Sequence, residues 1–113
     1  DLEQVRDSDR IERERMVSRL KEGGFIHDDE PSEEELVLAM HAYLAASPAL
    51  LLAVSLVDVV GEKLPQNLPG TNAEYPNWCV PLHAFNGKEV LIDDMAHCDR
   101  VKRFLTSVDR YIR

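Results

Sequence analysis

The chain has 113 residues and a mass of 12.8 kDa, is 44% hydrophobic and 30% charged, and carries a formal charge of −8 with a pI near 4.9. One domain of this size buries roughly two thirds of its unfolded surface, which excludes wholesale disorder. The charge runs −7 over residues 1–35, −2 over 36–87 and +1 over 88–113, so a cationic footprint for nucleic acid is missing, and no apolar run approaches the roughly twenty residues that cross a bilayer.

Residues 8–22 read as a helix. Ser8 is its expected N-cap, Ile11, Met16, Val17 and Leu20 fall loosely on one face, Asp9 and Arg13 pair at i, i+4, and Gly23-Gly24 supplies the stop. The upstream residues 1–7 either extend this helix or fray. The chain opens on Asp1, within a charged helical pattern, and reads as a piece of something longer. His27–Glu30 is a loop. Ser32 with Glu35 forms a capping box ahead of Leu36, Val37, Met40 and Leu44, which predicts a second helix. Pro48 closes it.

Ala49–Val57 is apolar apart from Ser55 and shows no alternation. Its length and the preceding proline favour a strand buried on both faces over a buried helix. Residues 61–81 hold four prolines and two glycines and read as a long ordered loop. Asn86-Gly87 marks a turn between Leu82–Phe85 and Glu89–Ile92, a small hairpin. Asp93-Asp94 caps a last helix, about 95–112, with Val101, Phe104, Leu105, Val108 and Ile112 at helical spacing. The pattern is that of an α/β protein in one domain over residues 1–113.

Several clusters hold chemistry-bearing side chains. Asp28, Asp29, Glu30 and the pair Asp93, Asp94 stand at helix starts, where capping accounts for them. Asp58 is placed at the C-terminal end of the expected strand, where α/β folds put ligand sites, with a turn-forming acid as the alternative. Cys79, His83, His97 and Cys98 lack metal-ligand spacing, so no metal and no cofactor are expected. Two cysteines and no hydrophobic leader before them favour a reducing, cytoplasmic setting. The densest cluster of special residues is Asn67 to Trp78. It combines a stiff Pro69-Gly70 step, amides and aromatics, the chemistry that sugar hydroxyls and sugar faces require, although Tyr75 and Trp78 could equally pin a loop to a core.

The string Gln66-Asn67-Leu68-Pro69-Gly70-Thr71-Asn72-Ala73-Glu74-Tyr75-Pro76-Asn77-Trp78, preceded by Asp58-Val59-Val60-Gly61, resembles the signature near the C-terminus of bacterial 4-α-glucanotransferases (amylomaltase, or disproportionating enzyme). Residues 8–44 resemble the two helical stretches that this family places before its last barrel strand. Where the family commonly follows the tryptophan with arginine, this chain has Cys79-Val80-Pro81-Leu82.

The resemblance implies the mostly helical C-terminal fragment of a (β/α)₈ barrel, with a rearranged all-α domain as the alternative. It implies transfer of α-1,4-glucan segments between maltodextrins by a retaining mechanism whose catalytic acids lie upstream, so this chain supplies none of them. Residues 61–81 become the substrate-cleft loop, with Asn67, Pro69 and Gly70 binding substrate and Asp58, Tyr75, Asn77 and Trp78 supporting the loop. The glucan is then the partner, with no nucleic acid and no membrane. A barrel piece with unpaired strand edges is expected to be inactive and to self-associate on its own. The rival reading is a stand-alone structural or interaction domain without catalysis.

Overall fold

A computed structural model describes residues 1–112; Arg113, the last residue of the expected single domain, lies outside them. The chain divides into two compact units, one of residues 1–52 with the C-terminal residues from Ser107 onward, the other Ala53–Thr106.

In the first unit, α1 runs Leu2–Glu22 and α2 Glu33–Ala45. Helix α1 begins a full two turns before the expected Ser8 cap, with the Asp1 carboxylate accepting from the Glu3 N–H at 3.4 Å. Arg10 pairs with Asp7 and Glu14, in place of the expected Asp9–Arg13 pair, and these contacts continue the helix through a stretch with no buried residue before Val17. A Schellman motif ends it. The N–H of Phe25 donates to the carbonyl of Leu20 and that of Gly24 to Lys21, with Gly24 at φ +76°.

The expected capping box opens α2. Ser32 Oγ accepts from the Glu35 N–H at 3.2 Å, and Glu35 Oε2 accepts from the Ser32 N–H at 2.8 Å. The same serine hydroxyl donates to Glu35 and holds its carboxyl below the usual range. Val17, Leu20, Ile26 and Ala39 form the core, with Met16, Phe25 and Leu36 against it. The buried side of α2 is thus its alanine side, Ala39 and Ala42, while Met40 and Leu44, expected inside, are exposed. Small side chains let α1 and α2 approach closely and leave the larger ones at the rim. Phe25 meets Tyr43 edge-on at 5.6 Å and Tyr111 at 5.7 Å.

The structure corrects the strand, whose residues 49–52 belong to the first unit and 53–57 to the second. Residues 49–55 adopt no regular structure, and Leu56–Val60 is a short helix, α3. A strand covered on both faces requires neighbours along both edges, and no strand forms anywhere among the described residues. The apolar run therefore splits. Val59 and Val60 are buried, as are Val101 and Phe104 in the same unit, while Leu50 and Leu51 are 98% and 91% exposed.

Every regular element among the described residues is a helix, which bears out the mostly helical part of the α/β expectation and not its sheet. The hairpin shrinks to a single antiparallel bridge, His83 to Glu89, around Gly87 at φ +81°. The last helix breaks in two, α4 at Ile92–Met95 and α5 at Asp99–Asp109. Of its expected apolar set, Val101, Phe104 and Val108 are buried, and Leu105 and Ile112 are exposed.

Candidate functional site

Asp58 lies inside α3, not at a strand end, and its contribution is its carbonyl. The Arg100 guanidinium donates to Val59 O at 3.0 Å and to Asp58 O at 3.3 Å, satisfying carbonyls that a helix C-terminus leaves open. The chain then leaves α3 through Gly61 at φ +78° into the long loop.

The base of the loop is fixed by Glu62. Its side chain is 3% exposed and accepts four hydrogen bonds, one for each carboxylate lone-pair site. Oε1 takes the N–H groups of Lys63 at 2.7 Å and Leu64 at 2.9 Å; Oε2 takes the N–H of His83 at 2.7 Å and its ring Nδ1–H at 2.9 Å. Burial pushes this carboxyl up, but the amides of Leu64, His83 and Lys63, with the imidazole, outweigh it and hold it below the ordinary range. Glu62 thereby ties the start of the loop to its end. Beside it, a groove of about 430 Å³ runs along residues 62–64 and 83–87, with the Lys63 ammonium 4.0 Å over the Phe85 ring. Sequence reasoning missed Glu62, since most of its partners are backbone amides, which leave no trace in residue type.

Within the loop, Leu68-Pro69-Gly70-Thr71 is a type II turn. The Thr71 N–H reaches Leu68 O at 3.2 Å, proline stands at the second position, and Gly70 takes φ +83° at the third. No atom lies within 4 Å of where a Gly70 β-carbon would be, so the backbone angle alone selects glycine. Asn77 crosses the loop with both ends of its amide. Oδ1 accepts from the Leu68 N–H at 2.7 Å, and Nδ2 donates to Thr71 Oγ1 at 3.0 Å. The Tyr75 hydroxyl donates to Pro65 O. Trp78 donates its backbone N–H to Gln66 O at 2.7 Å, while the residue is 75% exposed.

Asn67 sits between these two cross-ties, 66 to 78 and 68 to 77. It is exposed, and its side chain makes no hydrogen bond to any described residue. The loop therefore holds its shape through Asn77, Tyr75 and Thr71 and leaves the Asn67 amide open as donor and acceptor. Gln66 Nε2 is buried and has no hydrogen-bond partner among the described residues.

Of the acids at the helix starts, three are tied up locally. Asp28 accepts from the Glu30 N–H at 3.1 Å, Asp29 pairs with Lys21, and Asp94 accepts from the Leu91 N–H at 3.2 Å. Among the described residues no three His, Cys, Asp or Glu side chains are grouped so as to hold a metal ion. No helix among them is long and apolar enough to cross a membrane.

The family model described as 4-alpha-glucanotransferase matches residues 3–86. Curated 4-alpha-glucanotransferases of Mycobacterium tuberculosis and Mycobacterium bovis are 44% identical over 90 residues, which is 79% of this chain and 12% of those proteins. A 4-alpha-glucanotransferase of Haemophilus influenzae is 44% identical over 43 residues, 38% of this chain and 6% of that protein. The chain thus spans about an eighth of the length of the mycobacterial relatives. No solved structure matches it.

Proposed function

The chain belongs to the 4-alpha-glucanotransferase family, and from that premise we propose that it is the C-terminal part of an enzyme that moves α-1,4-glucan segments between maltodextrins. Residues 61–81 are its sugar-contacting loop, and the acids that make and break the glycosidic bond come from the rest of the polypeptide. The observation that carries this reading is the loop itself. A self-tied segment with a free amide at Asn67 lies within the stretch matched to the family.

In the retaining scheme a carboxylate attacks C1 of the donor glucose as a carboxylic acid protonates the departing 4-oxygen. The 4-hydroxyl of an acceptor sugar then attacks C1, gives its proton to that same residue, now a carboxylate, and releases the nucleophile. Neither step uses a group of this chain. What the loop contributes is position: Asn67 holds a sugar hydroxyl as donor and acceptor at once, and the Pro69-Gly70 turn keeps that amide in place. A stiff loop over the cleft also helps sugar to compete with water for the covalent intermediate.

Ala49–Val57 completes the proposal as the last strand of a (β/α)₈ barrel in the whole enzyme. What supports it is that an apolar run with Leu50 and Leu51 open to solvent lacks the cover its composition calls for.

The test is Asn67→Ala in the complete enzyme. A positioned hydrogen bond of about 1–1.5 kcal/mol corresponds to a loss of roughly ten-fold in transfer rate. Unchanged kinetics would reduce the loop to scaffolding.

A further inference from the structure

We propose that the Trp78 ring is a stacking platform for the apolar face of a glucose unit in a bound α-1,4-glucan; this rests on the reading of residues 61–81 as a glucan-contacting loop. Trp78 has φ +62° and is the one non-glycine residue with positive φ among the described residues. A bulky side chain in that region is strained, and such strain persists only where the surroundings impose it. Here they do: the Trp78 N–H is held by Gln66 O, the next amide by Pro76 O at 3.0 Å, and Asn77 is locked through its side chain.

Burial against the described residues does not compensate this strain. Trp78 is 75% exposed, although an indole is among the largest apolar surfaces a protein can bury. A residue that carries backbone strain and still faces outward is accounted for by something it meets from outside.

The surroundings indicate what that is. Residues 65–78 carry a single charge, Glu74, whose carboxylate already accepts the Asn72 N–H at 2.8 Å. The other amide and hydroxyl side chains of residues 67–77 are neutral as well: Asn77 and Thr71 bond to each other, and Asn67 and Asn72 are exposed. An aromatic face in a loop of neutral, hydrogen-bonding side chains fits a neutral polyhydroxylated chain whose rings have an apolar face. It lacks the cations that a phosphate backbone or an anionic membrane would need. It also differs from the contiguous apolar run at 50–54, which has the composition of a protein contact.

Because Trp78 is the chain's sole tryptophan, its fluorescence reports the site directly in the 113-residue protein. Titration with maltoheptaose is expected to change the emission saturably. Calorimetry is expected to show affinity at least ten-fold weaker for Trp78→Ala and largely kept in Trp78→Phe. Trp78→Gly separates contact from scaffolding: glycine accepts the positive φ, so this variant should unfold no earlier than the parent while binding as poorly as Trp78→Ala.

Maltoheptaose bound equally by Trp78→Ala, with Asn67→Ala weakened, would overturn the platform and leave the loop reading standing. No binding by the unsubstituted chain would overturn both. Emission that shifts with protein concentration and ignores sugar would assign Trp78 to a contact between copies and overturn the platform.

Discussion

The guanidinium of Arg100 lies against the face of Gly61 that a β-carbon would occupy, with its Cζ 2.8 Å from that position. Two constraints thus meet at one residue. Gly61 must take φ +78° to turn the chain out of α3, and it must leave room for an arginine that holds the Val59 and Asp58 carbonyls. Gly61→Ala is expected to cost about 1–3 kcal/mol, from left-handed strain and displacement of the guanidinium. Arg100→Met should relieve part of that cost, so a double-mutant cycle followed by urea unfolding should show coupling between the two sites. Gly87→Ala, at φ +81° with nothing within 4 Å, should show strain alone.

Asn77→Ala removes the bonds to the Leu68 N–H and to Thr71, and is expected to cost about 1–3 kcal/mol in the second unit. Hydrogen exchange at the Leu68 amide should speed up in step. Gln66→Met, which removes a buried amide nitrogen with no partner among the described residues, should leave stability unchanged or raise it.

Glu62 gives the loop an acid limit. Its carboxyl is held below its ordinary value in the folded chain, so its contribution is complete above the unfolded carboxylate range, about pH 4, and is lost as pH falls through the depressed value. Protection of the His83 amide should stay flat from pH 7 to about 5 and fall below about 4. Glu62→Gln should start with weaker protection and lose that acid-dependent fall.

Leu50 and Leu51 predict association. At micromolar concentration, light scattering on the isolated chain should give a mass above the monomer, and Leu50→Glu with Leu51→Glu should restore the monomer. A monomer in the unsubstituted chain would mean that this run is tolerated in water without cover.

What the sequence made legible was local. The Ser32–Glu35 capping box, the Gly24 stop and the Pro69-Gly70 turn each close within a few residues, so residue type alone encodes them. The Ala49–Val57 run forms no strand in this chain because a strand is a property of its neighbours, and the described residues provide none. Ser8 was misplaced as a cap because the Arg10 pairs sustain α1 without an apolar face. Glu62–His83 and Arg100–Gly61 join residues 21 and 39 apart, through backbone groups or a bare α-carbon, and no motif announces either.

The most direct measurement of the central claim is the disproportionation of maltotriose by two polypeptides, the 113-residue chain and the complete protein that carries it. The account predicts glucose and longer maltodextrins from the complete protein and neither from the isolated chain, because the proposal places the nucleophile and the acid of the glycosyl transfer outside residues 1–113. Glucose released by the isolated chain, or none released by the complete protein, would contradict it.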